Sequence, residues 1–143
     1  MMRAVTGLIS AIVAITVLAA CAGEDPYCTA VKDQESTLNS LGEKRTNAAY
    51  RSYARAFRSV AKVSPPSVKQ DWTELAEVTA SVLNAQDKAK IKLEEMTDQK
   101  KVAKLGTEQL KTLNNAYEAF NKTTPQREAV VKNVKEECDI SLT

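Results

Sequence analysis

The chain has 143 residues, 27% of them charged and 43% hydrophobic, with only four glycines and four prolines. That composition describes one compact domain and excludes collagen-like, low-complexity and multi-domain chains. A net charge of +2 is too small a surplus for a dedicated nucleic-acid binder, and the absence of histidine removes the commonest metal ligand and the commonest neutral-pH general base.

Residues 1–20 read as an export leader. Met1, Met2 and Arg3 make a short positive start, and Ala4 to Leu18 is apolar and uncharged. Small residues, Ala19 and Ala20, then precede Cys21, as a signal peptidase requires. Two other readings stand beside this one. Ala4 to Ala20 reaches the low end of the roughly 17–25 residues that span a bilayer, and a plain secretory signal would place Cys21 there by chance.

Leu18-Ala19-Ala20-Cys21 resembles the lipobox of bacterial lipoproteins. That resemblance implies that the Cys21 thiol receives a diacylglycerol and that the chain is cut before it. Two acyl chains hold a protein durably on a bilayer, whereas one gives marginal binding. The expected location is therefore extracytoplasmic, anchored to the outer face of the cell membrane. Residues 21–26, with Gly23 and Pro26 as breakers, form a short tether.

Setting Cys21 aside leaves Cys28 and Cys138. An even pair in an exported protein reads as a disulfide. Two free thiols are the alternative, but they make a poor metal site without histidine.

Residues 27–143 read as an all-α domain, an antiparallel bundle of four to five helices with the disulfide joining the first and last. Tyr27, Val31, Leu38 and Leu41 recur at helical spacing, and Gly42 interrupts or kinks the run. A second helix is predicted from about Glu43 to Lys62, with Ala49, Tyr53, Ala56, Val60 and Val63 on one face and Tyr50 at the polar boundary. Ser64-Pro65-Pro66-Ser67 breaks the chain, because the residue before a proline avoids the α region and proline suits a first helical turn. Ser64 or Ser67 would cap a third helix, lined by Val68, Trp72, Leu75, Thr79, Val82 and Gln86. Residues 87–101 have high helix propensity without a clean stripe, and either extend that helix or form a separate exposed one. A later helix carries Val102, Leu105, Leu110, Leu113, Ala116, Tyr117 and Phe120 inward, with Gly106 as a break. Thr123 and Gln126 stand at capping-box spacing for a last helix, which carries Val130, Val131, Val134 and Cys138 and ends near Ile140.

Tyr27-Cys28 opens the domain, Pro65-Pro66-Ser67-Val68 precedes Asp71-Trp72, and Cys138-Asp139-Ile140 closes it. This layout resembles that of small helical exported proteins and lipoproteins of actinobacteria. The resemblance supports the helical fold and the disulfide, and implies no activity.

No catalytic site is expected, and no metal or cofactor. Without histidine the usual Ser-His-Asp and Cys-His arrangements cannot form. Neighbours such as Glu94-Glu95 and Glu136-Glu137 point about 100° apart on a helix and do not converge. Trp72, Tyr117 and Phe120 read as core.

One segment stands out. From Lys44 to Val63 there are six cations and no acid. On a helical wheel Lys44, Arg51, Arg55, Arg58 and Lys62 fall within about 60° of one another, opposite Ala49, Tyr53, Phe57 and Val60. Such an edge suits anionic lipid or an acidic envelope polymer. The competing reading pairs it with Asp71, Glu74, Glu77 and Asp87 of the next helix, at about 0–1 kcal/mol per exposed pair. The function expected is a non-catalytic, lipid-anchored envelope protein that binds or builds at the membrane surface, with a protein partner the sequence leaves unspecified. The alternative is a binder of a small apolar ligand held between the helices.

Overall fold

The computed structural model describes residues 23–143. The leader, Cys21 and the first tether residue, Ala22, lie outside the described residues. The domain is all-α, and among the described residues there is no strand. Its helices are α1 (Pro26–Asn39), α2 (Asn47–Val63), α3 (Pro66–Ala89), the single turn α4 (Gln99–Val102), α5 (Thr107–Asn121) and α6 (Thr124–Cys138), with a 3-10 turn at Leu93–Glu95.

The ends of α1 and α2 are set by local chemistry. The Asp25 carboxylate accepts the Tyr27 N–H at 2.7 Å, and Pro26 occupies the first turn of α1, where its missing N–H costs nothing. The chain turns at Gly42, whose φ of 91° a side chain would resist. Helix α2 starts at Asn47 rather than near Glu43, because Thr46 Oγ1 accepts the Ala49 N–H at 3.1 Å and caps it there. Lys44 and Arg45 therefore lie in the loop before α2.

Pro65 and Pro66 separate α2 from α3. No serine caps α3; the Ser64 hydroxyl donates to the Ala61 carbonyl and closes α2 instead. Helix α3 is the spine, about 36 Å long at 1.5 Å per residue. It ends where Lys90 turns left-handed at φ 55°. Residues 91–102 then form short turns, which bury Ile91 and Leu93 against the core.

Two helices share the length of α3 on one side. The Gln109 amide donates to the Ala89 carbonyl at 3.3 Å, so α5 starts beside the end of α3. The Gln126 amide donates to Glu74 at 3.2 Å, further back along α3. Helices α5 and α6 thus run as one broken column antiparallel to α3, interrupted at Lys122–Thr123. Thr123 does not make the predicted capping box: its hydroxyl donates back to the Phe120 carbonyl at 2.7 Å, and Gln126 is committed to Glu74.

Helix α1 closes the bundle. Cys28 and Cys138 form a disulfide with Cα atoms 5.3 Å apart, joining the start of α1 to the end of α6. The core contains Val31, Tyr53, Val60, Trp72, Val82 and Val134, all essentially inaccessible. Three expectations about individual side chains change. Tyr50 is 6% exposed rather than at a boundary, because its ring packs on Tyr53 and Phe120. Leu110 was expected inward and Val63 on the apolar face of α2, but they are 40% and 42% exposed, because Leu110 sits on the edge of its apolar stripe and Val63 is the last residue of α2.

Candidate functional site

The four cations of the predicted edge that lie in α2 divide by partner. Arg51 approaches Asp87 of α3 at 3.6 Å, with both side chains more than half exposed. That is the intramolecular pairing the sequence offered as the competing reading. Arg55 donates to the neutral Ser52 hydroxyl at 3.2 Å. Among the described residues no carboxylate lies within 4.0 Å of Arg55, Arg58 or Lys62. Lys44 lies outside the helix and does not continue the row. Lys69, on the first turns of α3, lines the same shallow depression as Arg58 and Lys62, and so does Glu77. Lys69 went unnoticed in the sequence because it lies on a different helix.

The second feature is an apolar groove of about 390 Å³. Its floor is Phe57, Trp72, Leu75 and Val130, three of them from α2 and α3. One wall is Leu38 and Leu41 at the end of α1; the other is Thr124, Arg127 and Val131 on α6. The disulfide holds α1 and α6 together at one end, and the groove lies between them further along. Leu142 and Thr143 also line it. The Thr143 N–H donates to Asn39 Oδ1 at 2.9 Å, and Leu142 is half-buried against the core.

Among the described residues Arg127 is the one cation that lines this groove. Its Nε donates to the Thr123 carbonyl at 3.4 Å and its Nη2 to Thr124 Oγ1 at 3.3 Å, both neutral partners. Its guanidinium carbon stands 5.7 Å from the centre of the Phe120 ring, a cation–π position. No described carboxylate lies within 4.0 Å of it. Glu128 also lines the groove and is exposed.

Near the other end of α2 the groups are structural. Glu94 accepts the Asn47 N–H at 2.9 Å, and this backbone bond holds its carboxyl below the usual range. The favourable end of the α2 dipole adds to the effect. The Gln86 amide, wholly buried, donates to the Tyr117 hydroxyl, and burial pushes that phenol up to about 12. Among the described residues no three Cys, Asp or Glu side chains gather as a metal site, and no helix is long and apolar enough to cross a membrane. No protein-family model matches the sequence, and no curated protein or solved structure matches it.

Proposed function

We propose that this is a non-catalytic protein of the cell envelope, anchored by lipid on Cys21 to the outer face of the membrane, where its α2 face meets an anionic surface. The observation that carries the reading is the row Arg55, Arg58 and Lys62, joined across α3 by Lys69, with no described carboxylate within 4.0 Å of the α2 members. Cations in a row without a direct ion pair attract anionic headgroups or an acidic polymer at about 1 kcal/mol each near a charged surface. A lipid anchor keeps the domain at that surface and raises its effective concentration there. The apolar groove between α1 and α6 favours a second reading, binding of a small apolar ligand; its volume falls within the roughly 300–1,000 Å³ of small-molecule sites.

Two measurements test the first reading. Intact-mass spectrometry of the membrane-extracted protein is expected to find a diacylated Cys21 terminus; a bare terminus, or a retained leader, removes the anchor. Residues 23–143 are expected to sediment with anionic vesicles at low salt and to be released at high salt. Equal sedimentation with neutral vesicles removes the role of the basic face.

A further inference from the structure

The groove has a polar feature that a purely apolar ligand would leave unused. Arginine carries five N–H donors. Arg127 commits one to the Thr123 carbonyl and one to Thr124 Oγ1, so three remain without a described partner. Arg127 is half-buried as a residue, its guanidinium is backed by Phe120, and it lines the groove beside a floor made of Phe57, Trp72, Leu75 and Val130. A partly desolvated charge without a counterion is unfavourable, and among the described side chains that line the groove the one carboxylate is that of Glu128, exposed and one residue on. On an α-helix such neighbours point about 100° apart.

We infer that the groove binds a single-chain amphiphile with a carboxylate head, its alkyl chain on Phe57, Trp72 and Leu75 and its carboxylate on the free edge of Arg127. This rests on the second reading above and specifies its ligand class. A planar guanidinium receives a carboxylate through two parallel hydrogen bonds, stronger than neutral ones. The site supplies one cation beside one acid, so a monoanion suits it better than a phosphate dianion. Helix α6 provides the charge selectivity and, through Val130, part of the apolar floor, while α1, α2 and α3 provide the rest of the apolar surface. Leu142 lines the same groove and packs along the alkyl chain when the ligand enters.

The test uses the full chain, purified from membranes and reconstituted in neutral phosphatidylcholine vesicles. Dodecanoate carrying a terminal diazirine is photolysed with it, in parallel with the matched dodecanol. Labelled peptides are mapped by mass spectrometry. The expected result is labelling of groove residues by dodecanoate, reduced roughly tenfold in Arg127→Gln and increased in Glu128→Gln, as loss of a charge-assisted hydrogen bond predicts. Excess unlabelled dodecanoate competes; dodecyl phosphate competes less well. Equal groove labelling by dodecanol, indifferent to Arg127→Gln, overturns the carboxylate assignment and leaves an apolar site. No groove labelling by either probe overturns both the assignment and the apolar-ligand reading.

Discussion

The indole N–H of Trp72 donates to the hydroxyl of Tyr27 at 3.2 Å, although the two residues are 45 positions apart. The same hydroxyl donates to Asn133 Oδ1 at 2.9 Å. One phenol therefore ties α1 to α3 and α6, one residue before the cysteine that bridges to α6. Trp72 and Tyr27 are 1% and 3% exposed, so neither polar group has ready access to water. Tyr27→Phe keeps the ring and removes the relay. It leaves the indole N–H unpaired, and a buried unsatisfied donor costs about 1–3 kcal/mol. Denaturant unfolding is expected to show that loss with unchanged helical circular dichroism. A change under about 0.5 kcal/mol would mean that water replaces the phenol.

The disulfide acts on the same corner. It closes a separation of 110 residues. In the chain-entropy model, loops near that length are stabilised by about 4–5 kcal/mol, and removal of a native bridge from a small secreted domain typically costs about 2–5 kcal/mol. The double variant Cys28→Ser, Cys138→Ser is expected to unfold at distinctly lower denaturant, with α1 loosening first. Hydrogen exchange checks the order: α1 amides should lose protection before those of α3. Uniform loss across the domain would mean that the bridge acts on the unfolded chain alone.

Much of this arrangement was legible in the sequence, because it depends on neighbours in the chain. The Pro65-Pro66 break, the Gly106 break, the inward positions of Trp72, Thr79 and Gln86, and the cysteine pair all follow from spacing and local backbone rules. The start of α2 did not follow, because Thr46 as cap competed with a run of good helix formers from Glu43, and the cap prevailed. That error carried Lys44 onto the helical wheel. The groove was hidden for a different reason. It exists because α5 and α6 share the length of α3 and because Leu142 and Thr143 line it beside α1 and α6, and neither relation has a local signature. Arg127 has no distinguishing pattern around it; only the fold reveals that no described carboxylate lies within 4.0 Å of it.

High pH should weaken the fold through its phenols. Burial raises Tyr27, Tyr50 and Tyr117 above the ordinary value of 10.0, Tyr117 to about 12. In the unfolded chain these groups lose their protons around pH 10, while in the folded state they keep them longer. Between those values the unfolded state binds fewer protons, so stability is complete below about pH 10 and falls as pH rises toward 12. Urea midpoints are expected to drop across that window, and tyrosinate absorbance should show a late-titrating class in the folded protein. Tyr117→Phe should remove part of the alkaline loss while lowering stability at neutral pH, because it leaves the buried Gln86 amide without its partner. A pH-independent midpoint up to 12 contradicts the burial of these hydroxyls.

Charge reversal on α2 separates surface docking from general attraction. Arg51→Glu and Arg58→Glu change the net charge by the same amount, so a long-range effect would weaken vesicle binding equally. Their settings differ. Arg51 is already opposite Asp87 at 3.6 Å, whereas Arg58 has no described carboxylate within 4.0 Å and lies beside Lys62 and Lys69. Arg51→Glu puts two carboxylates together and should cost under about 1 kcal/mol of stability, the scale of exposed pairs. Arg58→Glu should alter stability by no more than about 0.5 kcal/mol, as surface changes usually do. If the α2 face docks, Arg58→Glu will reduce sedimentation with anionic vesicles more than Arg51→Glu does. The gap should narrow as salt shortens the screening length below about 10 Å. Equal reductions would assign the attraction to net charge and take the docking role from this face.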